Sequence, residues 1–355
     1  MRVLINIPRL TMPGGVSNYY LVLRPYLDAG KEYFEIGTDP AASGLGGLVK
    51  RLLVDYWRFH RALSAGQFDL VHLNPSLDEK SLLRDSIFLL IAAAHRTPVL
   101  VFFHGWNARL QALIASRLRW VFKAVFGKAK GFVVLANDFR YQLETMGVNR
   151  PMFLMTTLVD DAVFLESPAV RESKVPVQIL YLSRLAQYKG AVEAVQAFAL
   201  LKRSISGVTL RIAGDGPEKE KTEAVARTLS VDDVRFLGHI EGATKHEAFM
   251  TADIYFFPTF CDEGMPTTVI EAMAYGLPVI TRSVGGLKDF FQNERMGFVT
   301  ESRDPHELSV LLERLVSNPE LRRLTGNFNR RYAQEHFAAS SVAKQLESIY
   351  ERLTG

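Results

Sequence analysis

The sequence predicts an α/β protein built from two doubly wound parallel sheets. Short apolar runs alternate with longer amphipathic segments along the chain, and the alternation restarts after a stretch rich in Pro, Ser, Glu and Lys at 166–177. Buried parallel strands consist of continuous apolar residues, and a helix usually connects one strand to the next. The length of 355 residues suits two domains, each large enough for a core of its own.

The predicted strands form two series, and ligands of such sheets bind in the loops that follow the strands. The first series comprises Arg2–Ile7, Leu70–Leu73, Val99–Phe103, Gly131–Leu135 and Met152–Met155. The second comprises Gln178–Leu182, Thr209–Ala213, Val234–Phe236, Ile254–Pro258, Pro278–Thr281 and Gly297–Thr300. A long helix is predicted near Ser340–Leu353, after the last strand.

The composition excludes several classes of protein. With 48% hydrophobic residues and a net charge of +4, the chain is not intrinsically disordered. Its one cysteine excludes a disulfide scaffold and a Cys-rich metal cluster, and fits a reducing compartment. The longest uninterrupted apolar run, Ile87–Ala94, is too short to span a membrane, and Pro8 and Arg9 interrupt the first apolar segment. We therefore expect a soluble or peripheral cytoplasmic protein without a signal peptide.

Basic residues concentrate in the first half of the chain. Residues 1–165 carry a net charge of +6, residues 166–355 carry −2, and the stretch 43–150 alone carries +8. Such an asymmetry indicates an anionic surface or ligand that faces the first half. A chance distribution of charge over a solvated face explains it equally well.

The first motif is Met12-Pro-Gly-Gly-Val-Ser-Asn18, which follows the first predicted strand and opens a helix. Its glycines allow the backbone to approach a ligand closely, and the start of a helix offers unpaired N–H groups to an anion. An ordinary strand-to-helix turn is an equally good interpretation.

The second motif, Ser183–Gly190, follows the first strand of the second series. It places two cations, Arg184 and Lys189, beside a helix that we expect to begin near Gly190. Two cations next to a helix N-terminus form a favourable site for a diphosphate. The alternative is a solvated loop whose charges have no ligand.

The third motif, Asp262–Ala274, carries the strongest signal. Glu263 and Glu271 lie on either side of a Gly-Met-Pro-Thr-Thr turn and the start of a helix. A carboxylate accepts two hydrogen bonds from neighbouring hydroxyl groups, so the pair suits a sugar and a ribose. Pro266 has no N–H, so backbone donors to a phosphate between the two carboxylates come from its neighbours. These neighbours are Met265, Thr267 and Thr268.

Several nucleotide and metal motifs are absent from the sequence: Walker A, the complete Gly-x-Gly-x-x-Gly, His-Glu-x-x-His and Asp-x-Asp. Carboxylates at the Asp-x-Asp spacing commonly hold a divalent metal on a diphosphate. If this chain binds a diphosphate, we expect Lys, Arg and backbone amides to hold it, with no metal and no other cofactor.

Five segments, in this order, resemble those of the retaining glycosyltransferases of family 4, which have the GT-B fold. They are Gly14–Val16, Ser183–Leu185 with Lys189-Gly190, Ala213–Pro217, Phe236–Gly238, and Glu263–Pro266 with Glu271–Val279. The resemblance spans nearly the whole chain and is more specific in the second half. It implies two Rossmann-like domains that face a central cleft. The acceptor-binding domain would comprise 1–165 with about 336–355, and the nucleotide-sugar-binding domain 166–335.

The resemblance also implies a role for individual residues. Arg184 and Lys189 would bind the donor diphosphate and stabilise the leaving nucleotide. Glu263 would hold hydroxyl groups of the donor sugar, and Glu271 the ribose. His104 matches the family's histidine that contacts the donor sugar, with a structural histidine at a strand end as the alternative. The other donor-binding residues implied are Gly14, Gly15, Val16, Gly238, His239, Met265, Pro266, Thr267 and Thr268.

The activity implied is transfer of a sugar from a UDP- or GDP-linked donor to a lipid-linked or polysaccharide acceptor in bacterial-type glycan assembly, with retention of configuration. A double displacement needs a carboxylate nucleophile, and the first domain offers no clear candidate near His104. We therefore favour a front-face mechanism, in which the departing phosphate helps to take the acceptor's proton. The alternatives are a nucleotide-sugar epimerase of the same fold and a non-catalytic component of a glycan-assembly complex.

Two basic segments of the first half carry a tryptophan. In 109–126, an apolar helical stripe is predicted, with basic residues on the opposite face and a tryptophan on the flank. The stripe consists of Leu110, Leu113, Ile114, Leu118, Val121, Phe122 and Val125. The candidate acceptor or membrane surface consists of Arg109, Arg117, Arg119, Trp120 and Lys123. The segment 48–61 likewise combines Lys50, Arg51, Arg58 and Arg61 with Trp57 and Phe59.

These segments predict docking on anionic lipid at the inner face of the cell membrane, because tryptophan flanks the basic residues in both. A core stripe with a solvated basic back is the alternative. Nucleic acid is disfavoured as a partner, since no recognised binding motif and no array of stacking aromatic residues accompanies the charge.

Overall fold

In the computed structural model, the described residues are 1–12, 14–37, 45–166, 175–260 and 264–355, and for 45–50 the description covers the backbone alone. They form two compact units. Unit 1 comprises Met1–Leu158, Asp262–Met265 and Ala339–Gly355, and unit 2 comprises Val159–Cys261 and Pro266–Ala338.

The predicted domain divisions lie at residue 165 and at about 336, and the units divide after Leu158 and after Ala338. Most of the expected linker at 166–177 lies outside the described residues.

The sheet of unit 1 has six strands: β1 Val3–Pro8, β2 Lys31–Ile36, β3 Leu70–Leu73, β4 Val99–Phe102, β5 Gly131–Val134 and β6 Met152–Leu154. All pairings are parallel, and the order across the sheet is β2-β1-β3-β4-β5-β6. The winding changes direction at β1, which pairs with β2 on one side and β3 on the other. The prediction of a doubly wound parallel sheet is therefore confirmed for the first half of the chain.

Strand β2 is not among the strands predicted from the sequence. In this strand Phe34 and Ile36 are buried, whereas Glu32 and Glu35 are exposed. The strand lies at the edge of the sheet and contains no continuous apolar run. A search for continuous apolar runs finds interior parallel strands and overlooks an edge strand of this kind.

Helices surround the sheet of unit 1. They are α1 Gly15–Leu23, α2 Leu45–Ala65, α3 Glu79–Ala94, α4 Ala108–Leu113, α5 Arg119–Phe126, α6 Asn137–Thr145 and, after unit 2, α15 Ala339–Thr354. A π-helical segment, Ile114–Leu118, joins α4 to α5. The final helix buries Val342, Leu346 and Tyr350 in the core of unit 1, so the end of the chain completes this core.

Unit 2 contains a second parallel sheet of six strands: β7 Val177–Leu182, β8 Val208–Ala213, β9 Val234–Gly238, β10 Ile254–Phe257, β11 Val279–Thr281 and β12 Gly297–Val299. The order is β12-β11-β10-β7-β8-β9. All six strands of the second predicted series are present, and the winding reverses at β7. The second doubly wound sheet is thereby confirmed as well.

The helices of unit 2 are α7 Ala162–Glu166, α8 Ala191–Leu201, α9 Lys219–Thr228, α10 Gly242–Met250, α11 Thr267–Ala274, α12 Leu287–Phe290, α13 Pro305–Val316 and α14 Pro319–Phe337. Across the described ranges of the chain, no helix combines the length and the apolar character needed to cross a lipid bilayer.

Glycines allow two loops of unit 2 to pack against each other at the carboxyl ends of β7 and β8. Gly214 has φ +141°, and a Cβ atom there would overlap the carbonyl oxygen of Ser183. Gly216 has φ +147°, and a Cβ there would overlap the carbonyl oxygen of Leu185. Any other residue type would separate the loops. The close packing fixes the backbone from which Arg184 projects.

Candidate functional site

The loop after β7 carries the two cations of the second motif. Arg184 is exposed and Lys189 is half-buried, with its Nζ atom 5.9 Å from the ring centroid of Phe257. The hydroxyl of Tyr181, in β7, donates a hydrogen bond of 3.0 Å to the carbonyl oxygen of Lys189. This bond ties the end of the loop to the strand that precedes it.

The same loop ends at the amino terminus of α8. Gly190 precedes the helix with φ +81°, and a Cβ atom there would overlap the carbonyl oxygen of Pro258. The carbonyl oxygen of Tyr188 accepts hydrogen bonds from the Phe260 N–H at 2.5 Å and from the Thr259 hydroxyl at 3.3 Å. The loop is therefore anchored to the end of β10. It presents Lys189 next to free N–H groups at the start of an 11-residue helix.

Glu271, in α11, is held by a cation that the sequence analysis missed. Lys245 of α10 places its Nζ atom 2.7 Å from Glu271 Oε1, with the two side chains 30% and 19% exposed. The other carboxylate oxygen, Oε2, is buried and has no hydrogen-bond partner among the described residues. A buried acceptor without a partner costs free energy, so Oε2 is well placed to accept a bond from a hydroxyl group of a ligand.

The amino terminus of α11 carries the other predicted residues of the third motif. Pro266 precedes the helix, without a side-chain cap, and Thr267 and Thr268 begin it. The Tyr255 hydroxyl donates to the carbonyl oxygen of Leu182 at 2.9 Å and lies 2.6 Å from Thr268 Oγ1. Tyr255 thus connects β10, the end of β7 and the start of α11.

Two further predicted residues of unit 2 lie on its surface. Gly238, at the end of β9, has φ +67° and open space where a Cβ would stand. His239 has a side chain that is 72% exposed, with its Nε2 atom 3.7 Å from Glu241. Of the remaining residues of the third motif, Met265 packs against the core of unit 1, and Glu263 lies outside the described residues.

The first motif forms the start of α1. The helix begins at Gly15, with Gly14 preceding it and Val16 in its first turn, and the Asn18 N–H donates to the carbonyl oxygen of Gly14 at 3.0 Å. A Cβ atom at Gly15 would meet nothing within 4 Å. Packing against the described residues therefore does not explain why this position is a glycine.

His104 follows β4 and belongs to a cluster of polar side chains in unit 1. Its Nε2 atom lies 2.9 Å from Oδ1 of Asn74, which follows β3 directly. Asn74 donates from Nδ2 to the carbonyl oxygen of Asn6, in β1, at 2.9 Å. The hydroxyl of Tyr20, in α1, donates to Asn74 Oδ1 at 3.0 Å. The carboxyl ends of three neighbouring strands thus bring the cluster together.

Both histidines near this cluster are neutral. Burial lowers the pKa of His104 to about 3. Burial also lowers the pKa of His72, in β3, to about 3, and the positive charge of a protonated His104 would lower it slightly further. His72 Nδ1 lies 2.7 Å from the hydroxyl of Tyr350, in α15. The cluster therefore holds uncharged groups at neutral pH.

Three residues of these sites, Asn74, Lys245 and Tyr255, are not among the site residues predicted from the sequence. Asn74 had a local signal, because a polar residue directly follows the buried strand β3. Lys245 belongs to no motif, and Tyr255 has the pattern of an ordinary core residue. Only the packing of distant elements brings these two to the predicted residues.

The apolar stripe predicted for 109–126 is buried over only part of its length. Leu113, Leu118 and Val121 are 41%, 42% and 38% exposed. The π-helical segment Ile114–Leu118 has a wider turn, so Val121, which follows it, lies away from the position that a continuous α-helix would give it. Leu113 precedes this segment, at the end of α4. The buried members of the stripe are Leu110, Ile114 and Phe122.

The five surface residues predicted for this segment are all exposed: Arg109, Arg117, Arg119, Trp120 and Lys123. Trp120 is 73% exposed. Exposed apolar and basic side chains are therefore interleaved along 113–123.

In the second basic segment, Trp57 is 56% exposed, and the Arg61 guanidinium lies 4.9 Å from the centroid of its ring. Phe59 is buried. The side chain of Lys50 lies outside the described residues.

Two family models match the chain. The model described as "Glycosyl transferases group 1" matches residues 166–332, and the model described as "Glycosyl transferase 4-like domain" matches residues 24–154. Together the two matched ranges contain most strands of both sheets. The expected resemblance to family 4 is confirmed.

Known proteins are similar over nearly the whole chain. A phosphatidyl-myo-inositol mannosyltransferase of Mycolicibacterium smegmatis is 24% identical, over 97% of this chain and 92% of the relative. A crystal structure of a glycosyltransferase from Rickettsia africae has a TM-score of 0.78 at 16% identity, and covers 99% of this chain and 98% of its own. HepE of Anabaena, crystallised with UDP and glucose, has a TM-score of 0.73 at 16% identity and 99% coverage of both chains.

The structural likenesses show the fold, and they confirm the expected GT-B architecture. Several other curated glycosyltransferases match over 48–49% of this chain and 42–48% of their own length, so this chain spans about half the length of these relatives.

The two neutral histidines predict how stability depends on pH. In the unfolded chain a histidine has a pKa of about 6.5, whereas His72 has a pKa of about 3 in the fold. As the pH falls from 7 towards 4, the unfolded chain takes up protons that the native protein does not bind. The free energy of unfolding should therefore fall by up to about 1.4 kcal/mol per pH unit for each such histidine.

The measurement is urea unfolding of the wild type and of His72→Phe between pH 7 and 4.5. The variant should be less stable at pH 7, and its stability should decline less steeply with acidification. His306→Gln, which removes an exposed histidine of α13, is the matched control and should keep the wild-type slope. A slope in His72→Phe equal to that of the wild type would contradict a neutral His72.

Proposed function

The chain belongs to the group 1 glycosyltransferases, and on that premise we propose that it transfers a sugar from a UDP- or GDP-linked donor to a hydroxyl group of a lipid-linked or polysaccharide acceptor. The proposal includes retention of the anomeric configuration and independence from metal ions. The observation that carries it is the carboxylate of Glu271. Lys245 holds its Oε1 atom, while Oε2 is buried and has no hydrogen-bond partner among the residues that the structure describes.

Glu271 suits the ribose of a nucleotide. A ribose presents neighbouring hydroxyl groups, and a carboxylate oxygen accepts a hydrogen bond from each without needing a proton of its own. Lys245 fixes the orientation of the carboxylate before a ligand binds, which reduces the entropy lost on binding. The complex of HepE with UDP and glucose supports a nucleotide donor in this fold.

Arg184, Lys189 and the start of α8 suit the diphosphate. Negative charge grows on the leaving diphosphate as the bond to the sugar breaks, and preorganised cations and N–H groups stabilise that charge. The loop that carries Lys189 is anchored to β7 and β10, so little reorganisation is needed. We propose that these groups replace a divalent metal.

The proposed step is a front-face displacement. The bond between the sugar C1 atom and the β-phosphate oxygen breaks, and the acceptor oxygen forms its bond to C1 on the same face. The acceptor's proton passes to the departing phosphate, so the products are the glycoside and the nucleoside diphosphate. Among the described residues, the groups around His104 are amide, phenol, imidazole and phenyl, and none of these is a carboxylate nucleophile.

A second proposal concerns the acceptor. We propose that residues 109–123 bring unit 1 to an anionic membrane surface, where a lipid-linked acceptor is held. The supporting observation is the exposure of Trp120 and Leu118 among Arg117, Arg119 and Lys123. Basic residues near an anionic surface contribute about 1 kcal/mol each, and tryptophan is favoured at the interface between lipid and water.

Glu271→Gln and Lys245→Met test the nucleotide site. The first removes the charge that accepts the ribose hydroxyls, and the second removes the group that orients it. Each should weaken binding of UDP or GDP about tenfold, as expected for loss of one charge-assisted hydrogen bond. Isothermal titration with both nucleotides measures this. Glu307→Gln, an exposed position in α13, is the control and should bind like the wild type. Unchanged binding in Glu271→Gln would contradict the assignment.

Metal independence and stereochemistry are tested together with a panel of UDP- and GDP-sugars. After dialysis against EDTA, the protein should cleave its donor at the same rate as before, because cations of the protein carry out the charge stabilisation. Proton NMR of the freshly released or transferred sugar should show the anomeric configuration of the donor. Loss of activity in EDTA, restored by a divalent metal, would contradict the first part, and an inverted product the second.

Membrane binding is tested by flotation with liposomes of anionic and of neutral lipid. The wild type should float with anionic liposomes at low salt and not in high salt, where the charges are screened. Trp120→Ala combined with Arg119→Glu should abolish flotation. Arg203→Glu, an exposed position of unit 2, makes the same charge change and should float normally. No binding of the wild type at low salt would refute this proposal.

A further inference from the structure

The side-chain amide of Asn74 has only one possible orientation. Asn74 is 5% exposed, and one end of its amide lies 2.9 Å from the carbonyl oxygen of Asn6. A carbonyl oxygen accepts hydrogen bonds and never donates them, so the nitrogen Nδ2 must be at that end. Oδ1 then faces the opposite way, towards His104 Nε2 at 2.9 Å and the hydroxyl of Tyr20 at 3.0 Å.

The orientation of Asn74 decides which nitrogen of His104 carries the proton. An amide oxygen only accepts, so the hydrogen bond to Asn74 requires a proton on His104 Nε2. The ring is neutral, because burial lowers its pKa to about 3, and a neutral imidazole has one N–H. The proton on Nε2 therefore leaves Nδ1 as a bare lone pair. Nδ1 has no hydrogen-bond partner within the described parts of the chain.

We propose that Asn74 is a positioning residue that holds His104 in the Nε2–H tautomer, so that Nδ1 accepts a hydrogen bond from a hydroxyl group of the sugar substrate. The identity of the ligand rests on the proposed function. The tautomer follows from unit 1 alone.

The surroundings of His104 favour an acceptor over a proton donor. Its ring contacts Phe102, with ring centroids 3.9 Å apart, and the edge of Tyr19 at 5.1 Å. Among the described residues, the titratable groups next to it are Tyr19 of α1 and His72 of β3, with Tyr20 of α1 and Tyr350 of α15 beside His72. Burial raises the pKa of each of these three tyrosines. All four groups are uncharged between pH 5 and 9, so none of them stabilises an imidazolium.

The tautomer is measured directly by nitrogen NMR. Histidine is labelled with ¹⁵N in the wild type and in His104→Gln, which identifies the His104 signals by their loss. At pH 7 the wild type should show His104 with a protonated Nε2 and a bare Nδ1, and the signals should stay unchanged down to pH 5. A protonated Nδ1, a mixture of tautomers or a doubly protonated ring at pH 7 would overturn the inference, whatever the activity of the protein.

Variants of Asn74 test whether it is the cause. In Asn74→Leu the tautomers should mix, and kcat/KM for the sugar donor should fall about tenfold, as expected for one lost hydrogen bond. In Asn74→Asp the carboxylate should raise the pKa of His104, because an opposite charge favours the imidazolium. Activity of that variant should be lost in acid and recover with rising pH, where the wild type has a flat profile.

Tyr20→Phe is the matched control. It removes the other donor to Asn74 Oδ1 and leaves the bond to Asn74 from His104 in place, so the tautomer should not change. A flat pH profile in Asn74→Asp, or mixed tautomers in Tyr20→Phe, would refute the role given to Asn74. The proposed function and the proposed tautomer can be refuted independently. A wild type without transfer activity refutes the proposed function, whereas the NMR spectrum alone decides the tautomer.

Discussion

All six strands of each unit run in the same direction, and most features of the two sites depend on this constraint. Parallel strands end at one edge of their sheet, so the loops that follow them meet there. Backbone N–H and C=O groups beyond the ends of the strands have no partner in the sheet, and each needs another one. Some residues beyond the strand ends supply these hydrogen-bond partners, and others leave polar groups that a ligand can bond. Together these residues make up both candidate sites.

The two units meet this need with different chemistry. Unit 1 uses uncharged side chains, in which Asn74 joins β1, β3 and the loop after β4 through one amide. Unit 2 uses glycines, which allow loop backbones to touch, and ion pairs such as Lys245–Glu271. Within the described part of the chain, both arrangements leave polar atoms buried without a partner, Glu271 Oε2 in unit 2 and the Asn6 amide in unit 1. Native proteins retain few such atoms, and those they retain are often found at sites of function.

The sequence was sufficient for the fold because interior parallel strands leave a clear apolar signal. It did not indicate β2, an edge strand with alternating polar residues, or the exposure of Leu118 and Val121, which lie in and after a π-helical segment. Local sequence indicates Arg184, Lys189 and Glu271, since each lies in a motif at the end of a strand or the start of a helix. It does not indicate Lys245, because the contact with Glu271 joins helices far apart in sequence and depends on packing.

The difference in charge between the units limits what each can bind. A diphosphate brings charge, and burying that charge among uncharged groups costs several kcal/mol unless cations accompany it. Among the described residues, the cluster around His104 supplies no cation, since its two histidines stay neutral. A sugar hydroxyl is neutral and needs only fixed donors and acceptors, which this cluster supplies. In the proposed reaction, charge that develops during transfer is therefore best stabilised by unit 2, where Arg184 and Lys189 lie beside a helix amino terminus, while unit 1 would orient neutral groups without changing their protonation.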